Sequence, residues 1–193
     1  GATARCLAEE GAKVLIADID TKTAQQNVQT IKSFGGIADE FSVDIMNPED
    51  IEAMIKRAVE QWGKLDILVN NAFARGTTGS NGGALEVTDE GWDMGMKAVI
   101  KHVFLATKYA VPEMKKVQCG SIVNISSVHG LLMSTQSIVY ETWKTAMLGA
   151  TRQMALDFGP WNIRVNAICP GHIVNETQAQ VWELNPNKFR FFK

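Results

Sequence analysis

Cysteine is scarce in this chain and poorly placed for a structural role: Cys6, Cys119 and Cys169 are far apart, form no Cys-x-x-Cys and have no histidine pair nearby. Neither a disulfide framework nor a zinc site is encoded, and a reducing compartment follows. Long apolar runs are also missing. The longest hydrophobic stretches have the length of strands, and the N-terminus lacks the charged-then-apolar layout of a signal peptide. An excess of one charge is missing too, since 19 Lys and Arg face 21 Asp and Glu, with the signs interspersed. A net charge of −2 offers no basic stripe to nucleic acid and no acidic tail. What remains is a chain of 193 residues, 46% apolar and 21% charged, long enough to bury a sizeable core. The expectations are one domain over residues 1–193, a small-molecule partner, neither nucleic acid nor membrane, and a cytoplasmic setting.

What is there is an alternation of helix and strand patterns. Ala2 to Gly11 reads as a helix with Ala4, Leu7 and Ala8 as its apolar stripe and Gly11 as its cap, followed by a buried strand from Lys13 to Asp18. A helix from Thr21 to Phe34, the pair Gly35-Gly36 and a strand from Ile37 to Val43 repeat the grammar. A third repeat runs from the helix Pro48 to Trp62, opened by Asn47-Pro48, into the strand Leu65 to Val69. Glu90 to Met114 reads as one long amphipathic helix, with Pro112 expected to bend it. Gly120 to Ser127 reads as a strand running into a loop, Val139 to Phe158 as a helix, and Asn162 to Ile168 as the last clear strand. Strands alternating with helices predict an α/β fold: a parallel sheet covered on both faces, with its ligand crevice at the strands' C-terminal ends.

The chemistry is densest at Tyr140-Glu141-Thr142-Trp143-Lys144, which sets a phenol and an ammonium four residues apart on one helical face. A tyrosine alone has a pKa near ~10, and a neighbouring ammonium favours its phenolate, moving it toward the range of a general acid/base. Upstream, Ser127 stands at a strand end, where a hydroxyl can hydrogen-bond a substrate carbonyl or alcohol.

Ser127, Tyr140 and Lys144 at these spacings resemble the catalytic set of the short-chain dehydrogenase/reductase family, and Asn70-Asn71-Ala72 and Pro170-Gly171-His172-Ile173 resemble two more of its signatures. The resemblance covers nearly the whole chain. It implies a Rossmann-like, doubly wound, three-layer α/β/α fold and an oxidoreductase that moves hydride between a nicotinamide cofactor and an alcohol or ketone. Asp18, with Ile19, would meet the adenosine ribose and favour NAD over NADP, because a strand-end acid repels a 2′-phosphate. Asp44 and Ile45 would meet the adenine. Asn70, Ala72, Pro170, Gly171 and Ile173 would line the cofactor site beside Tyr140 and Lys144, the backbone around Ile173 taking the carboxamide. A homo-oligomer, dimer or tetramer, through the two long helices is implied as well, and residues 178–193 would cover the substrate.

Several positions depart from the family pattern or keep two readings open. Asp18 is either the ribose acceptor or the N-cap of the following helix, and Asp44 either an adenine contact or a turn residue. Phe73 stands where the family has glycine, Val99 where it has a relay Asn, and Asn175 where it has a threonine. Trp143 replaces a small residue and either crowds the site or packs against it. The loop from Arg75 to Gly83 lacks a P-loop lysine and reads as a mobile surface connection; His129 reads as a loop residue. The family's first strand and glycine-rich turn have no counterpart here, nor does its last strand, so the expectation is a domain truncated at both ends. A non-catalytic binding or oligomerisation module is the alternative that these departures keep open.

Overall fold

The computed structural model describes residues 1–73, 81–171 and 173. Its elements are α1 (Ala2–Glu9), β1 (Lys13–Asp18), α2 (Thr21–Ser33), β2 (Ile37–Ser42), α3 (Pro48–Trp62), β3 (Ile67–Asn70), α4 (Asp89–Met96), α5 (His102–Lys116), β4 (Gly120–Ile125), α6 (Ile138–Phe158) and β5 (Ile163–Ile168). Every strand pairing is parallel, with β1 on β2 and the order β3-β4-β5. With its flanking helices this is the Rossmann-like α/β/α arrangement.

Local chemistry fixes the helix ends. Asp20 caps α2 by accepting from the Thr23 N–H at 3.0 Å, and Ala24, Val28 and Ile31 form its buried stripe. Asn47 caps α3, Pro48 opens it, and Gly63 closes it at a left-handed φ of 79° that a side chain would strain. Ile51 and Ile55 of α3 join Val111 and Met114 of α5, Leu68 of β3, Ile122 of β4 and Val165 of β5 in the larger core. A smaller core packs Ala8, Val28, Ile31 and Ala38 on the β1–β2 side. Each fully buried Ile or Val contributes roughly 1.5–3 kcal/mol.

Three expectations change. The strand ending at Asp18 is not buried: Val14 to Ala17 are half-exposed, because no backbone hydrogen bond joins β1 to β3 among the described residues. Among the described residues the sheet is interrupted between β1 and β3. The long helix is not regular either. It starts at Asp89 on a Thr88 cap and passes through a π turn, Lys97–Lys101, between α4 and α5. Pro112 lies inside α5, which runs on to Lys116. The connection before α4 is pinned where described: Gly82 bridges to Ser137, and the Gly83 N–H donates to the Gln136 side chain at 2.6 Å. Residues 74–80, His172, Asn175 and the expected substrate cover at 178–193 lie outside the described residues.

Candidate active site

The strands deliver their C-terminal ends to one cleft of about 720 Å³, as an open parallel sheet requires. Asp18 and Ile19 border it after β1, Asp44 and Ile45 after β2, Ala72 and Phe73 after β3, Ser127 and His129 after β4, and Pro170, Gly171 and Ile173 after β5. Tyr140 and Lys144 enter from α6. Of the residues the sequence assigned to the catalytic set or the cofactor site, Asn70 alone does not border the cleft. Its side chain is buried and donates to Asn124 at 2.8 Å, and Asn124 in turn donates to Thr151 at 2.9 Å. That buried chain ties β3 and β4 to α6; Asn71 faces the cleft instead.

Lys144 is held from two sides. Its ammonium donates to the Ile125 carbonyl at 2.7 Å, and its own carbonyl accepts from the Ser126 hydroxyl at 2.8 Å. Gly130 lets the turn after β4 come this close, since a Cβ there would stand 3.0 Å from both the Lys144 carbonyl and the Ser126 hydroxyl. The ammonium lies 5.8 Å from the Tyr140 ring centroid and 5.7 Å from that of Phe73. Burial pushes the Lys144 pKa down from 10.5 to about 8, against a small opposing pull from Cys169. The unfolded chain therefore holds this proton more tightly between pH 8 and 10.5, and folding stability must rise with pH across that window. Measured against Lys144→Met, the wild-type Tm is expected to climb between pH 8 and 10.5 and to be flat just below pH 8. A difference that ignores pH would show that the buried ammonium carries no penalty.

Ser127 is buried, and its Oγ accepts from the His129 N–H at 3.1 Å, which fixes the hydroxyl at the cleft wall. Phe73 does not leave the site to Tyr140: the two rings pack 5.9 Å apart at 55°. Asp18 is not the helix cap, since Asp20 takes that role, and the Asp20 N–H donates to Asp18 Oδ1 at 3.0 Å. Asp44 does act in the turn, accepting from the Met46 N–H at 2.9 Å, while it also borders the cleft. Trp143 packs away from the cleft on Trp92, with ring centroids 5.1 Å apart, and Val99 is buried within the π turn.

Two residues were passed over in the sequence. His102, just after the π turn, is buried with its ring nitrogens near the backbone of Lys97 and Ala72 but in no well-formed hydrogen bond, and burial together with the Lys144 charge pushes its pKa down to about 4, so the ring is neutral at pH 7. Glu141 is buried beside Tyr140 and accepts from Ser134 and His129. A glutamate on a helix ordinarily signals a solvated face, so nothing in its pattern marked it.

Comparison with known proteins identifies the family. Residues 1–190 match the family described as enoyl-(acyl carrier protein) reductase. An uncharacterized oxidoreductase of Thermotoga maritima is 41% identical over 96% of this chain and 72% of its own length. A probable galactose dehydrogenase of Rhizobium meliloti is 37% identical over 94% of this chain and 70% of its own. The crystal structure of a putative short-chain dehydrogenase/reductase from Burkholderia xenovorans superposes with a TM-score of 0.85 at 28% identity, covering 96% of this chain and 70% of that one. With a Tyr140-Lys144 pair and Ser127 gathered at the C-terminal ends of a parallel sheet, the chain belongs to the short-chain dehydrogenase/reductase family of hydride-transferring oxidoreductases.

Proposed function

We propose that Ser127, Tyr140 and Lys144 are the catalytic set of an NAD-dependent dehydrogenase that interconverts a secondary alcohol and a ketone. The observation that carries this reading is that all three border the same cleft that Asp18 also borders. Nicotinamide, when bound, supplies the hydride acceptor or donor. Tyr140 takes or gives the hydroxyl proton of the substrate. Ser127 donates to the substrate oxygen and holds it at the phenol. Lys144 keeps positive charge beside Tyr140 and would hold the nicotinamide ribose.

The residues at the cleft fit a dinucleotide at both ends. At the adenosine end, with α2 capped by Asp20, the Asp18 carboxylate keeps an oxygen for the ribose hydroxyls, next to Ile19, Asp44 and Ile45. At the nicotinamide end, Ala72, Pro170, Gly171 and Ile173 shape the wall, with Ile173 well exposed to the cleft. Asn70 supports that wall from inside the sheet rather than by contact. The same carboxylate would stand at hydrogen-bond range of a 2′-phosphate, where like charges repel strongly. NAD is accordingly the cofactor over NADP.

A screen of the full-length protein over sugars, polyols, steroids and acyl ketones with both cofactors tests the reading, which fails if no member is turned over. Asp18→Ala is expected to reduce the preference for NAD in kcat/KM at least about tenfold. A wild type that prefers NADP removes the ribose role from Asp18. The setting is cytoplasmic, in keeping with three free thiols at Cys6, Cys119 and Cys169. Among the described helices none is long and apolar enough to cross a membrane. The assembly is a homo-oligomer through the long helices, which leave Met94, Phe104 and Leu156 exposed.

A further inference from the structure

The turn after β4 carries a polar pair that the catalytic set does not use. Glu141 Oε1 is approached by the Ser134 N–H at 2.6 Å, the Ser134 hydroxyl at 2.7 Å and His129 Nδ1 at 2.9 Å. Burial works to raise the Glu141 pKa, and the bonds from Ser134 and then His129 overcome it, holding the carboxyl below its usual range. An ionised carboxylate only accepts, so Nδ1 carries the proton and the ring is fixed in that tautomer. Nε2 is left on the opposite side. The His129 side chain is 42% exposed, lines the cleft with Ser127 and Tyr140, and sets its ring 6.3 Å from that of Tyr140 at 66°. Its N–H is anchored on Ser127, so ring and catalytic hydroxyl share one rigid turn. Nε2 makes no hydrogen bond among the described residues. With the ring neutral, Nε2 is an acceptor without a donor, in the cleft that Ser127 and Tyr140 also line.

We infer that His129 Nε2 accepts a hydrogen bond from a second hydroxyl of the substrate, next to the reacting carbon, so that the enzyme acts on vicinal diols and α-hydroxy ketones, with Glu141 as the positioning residue that holds the ring. This rests on the dehydrogenase reading above. A site built around a hydrogen bond to a substrate hydroxyl discriminates against the analogue that lacks it, because its own polar atom is then left unpaired.

The matched probes are 2,3-butanediol and 2-butanol, assayed with the full-length protein and each nicotinamide cofactor. The wild type is expected to favour the diol in kcat/KM by at least about tenfold. His129→Leu should reduce that preference by about tenfold, mainly through the KM of the diol, and His129→Gln, which keeps an acceptor, should restore part of it. Glu141→Leu should reduce the preference in the wild-type background and leave it unchanged in the His129→Leu background, since Glu141 acts only through the ring. A merely structural role would slow both alcohols together and leave their ratio alone. That result, or an active wild type without preference for the diol, overturns this inference and spares the dehydrogenase reading. A wild type idle on every secondary alcohol overturns both.

Discussion

Tyr140→Phe is expected to lower kcat at least about a thousandfold while the dissociation constant of the cofactor stays within a few-fold. General acid/base groups contribute roughly 10²–10⁴ in rate, and the two side chains proposed to act with this one are already held. Ser127 has its oxygen committed to the His129 N–H, and Lys144 is held on the Ile125 carbonyl. The substitution removes one oxygen and keeps the ring, so the contacts with Phe73 at 5.9 Å and His129 at 6.3 Å survive. Binding and chemistry therefore separate: steady-state rates measure the loss, and a cofactor titration shows that the site is still formed. Substantial residual turnover would take the phenol out of the mechanism. A parallel loss of cofactor affinity would instead give the hydroxyl a binding role.

The strands and the Tyr140–Lys144 pairing were legible because each rests on short-range grammar. β1, β2 and β5 lie within a residue of the apolar runs that announce them, and Tyr140 and Lys144 need only the helical repeat to share a face. Asp18 was legible as a strand-end acid but not as free of capping duty, which depended on whether Asp18 or Asp20 met the Thr23 N–H. The π turn had no signature, since one wider turn inside a long amphipathic pattern shifts the repeat too little to be seen. Yet that turn buries Val99 and sets the buried His102 directly after it. Trp143 and Phe73 looked alike as bulky intruders. Only tertiary packing separates them, with Trp143 turned onto Trp92 and Phe73 laid against Tyr140 in the cleft. The same holds for Glu141 and His129, which become a pair only when the loop before α6 folds back over its first turn.

Gly95→Ala is expected to destabilise the protein by about 1–3 kcal/mol or more, a fall in Tm of several degrees for a chain of this size. Two effects of opposite sign compete. Alanine is the better helix former by roughly 1 kcal/mol, so on α4 alone the change would stabilise. Against this, a Cβ at Gly95 would stand 1.9 Å from Val139 Cγ1 and 3.6 Å from Trp143 Cδ1. Val139 is buried and cannot swing into solvent, so relief requires α4 and α6 to separate. The clash prevails. Val139→Ala removes the offending methyl groups, and in that background Gly95→Ala should be neutral or stabilising, a coupling that a double-mutant cycle reads directly. An unchanged melting temperature in the single variant would show that Val139 yields without moving the helices. The consequence reaches the chemistry because Val139 immediately precedes Tyr140: any displacement that frees the valine also moves the phenol relative to Ser127, whose turn is fixed to β4. In the full-length enzyme Gly95→Ala should then lower kcat at temperatures well below its melting point, and Val139→Ala should return part of that rate along with the stability.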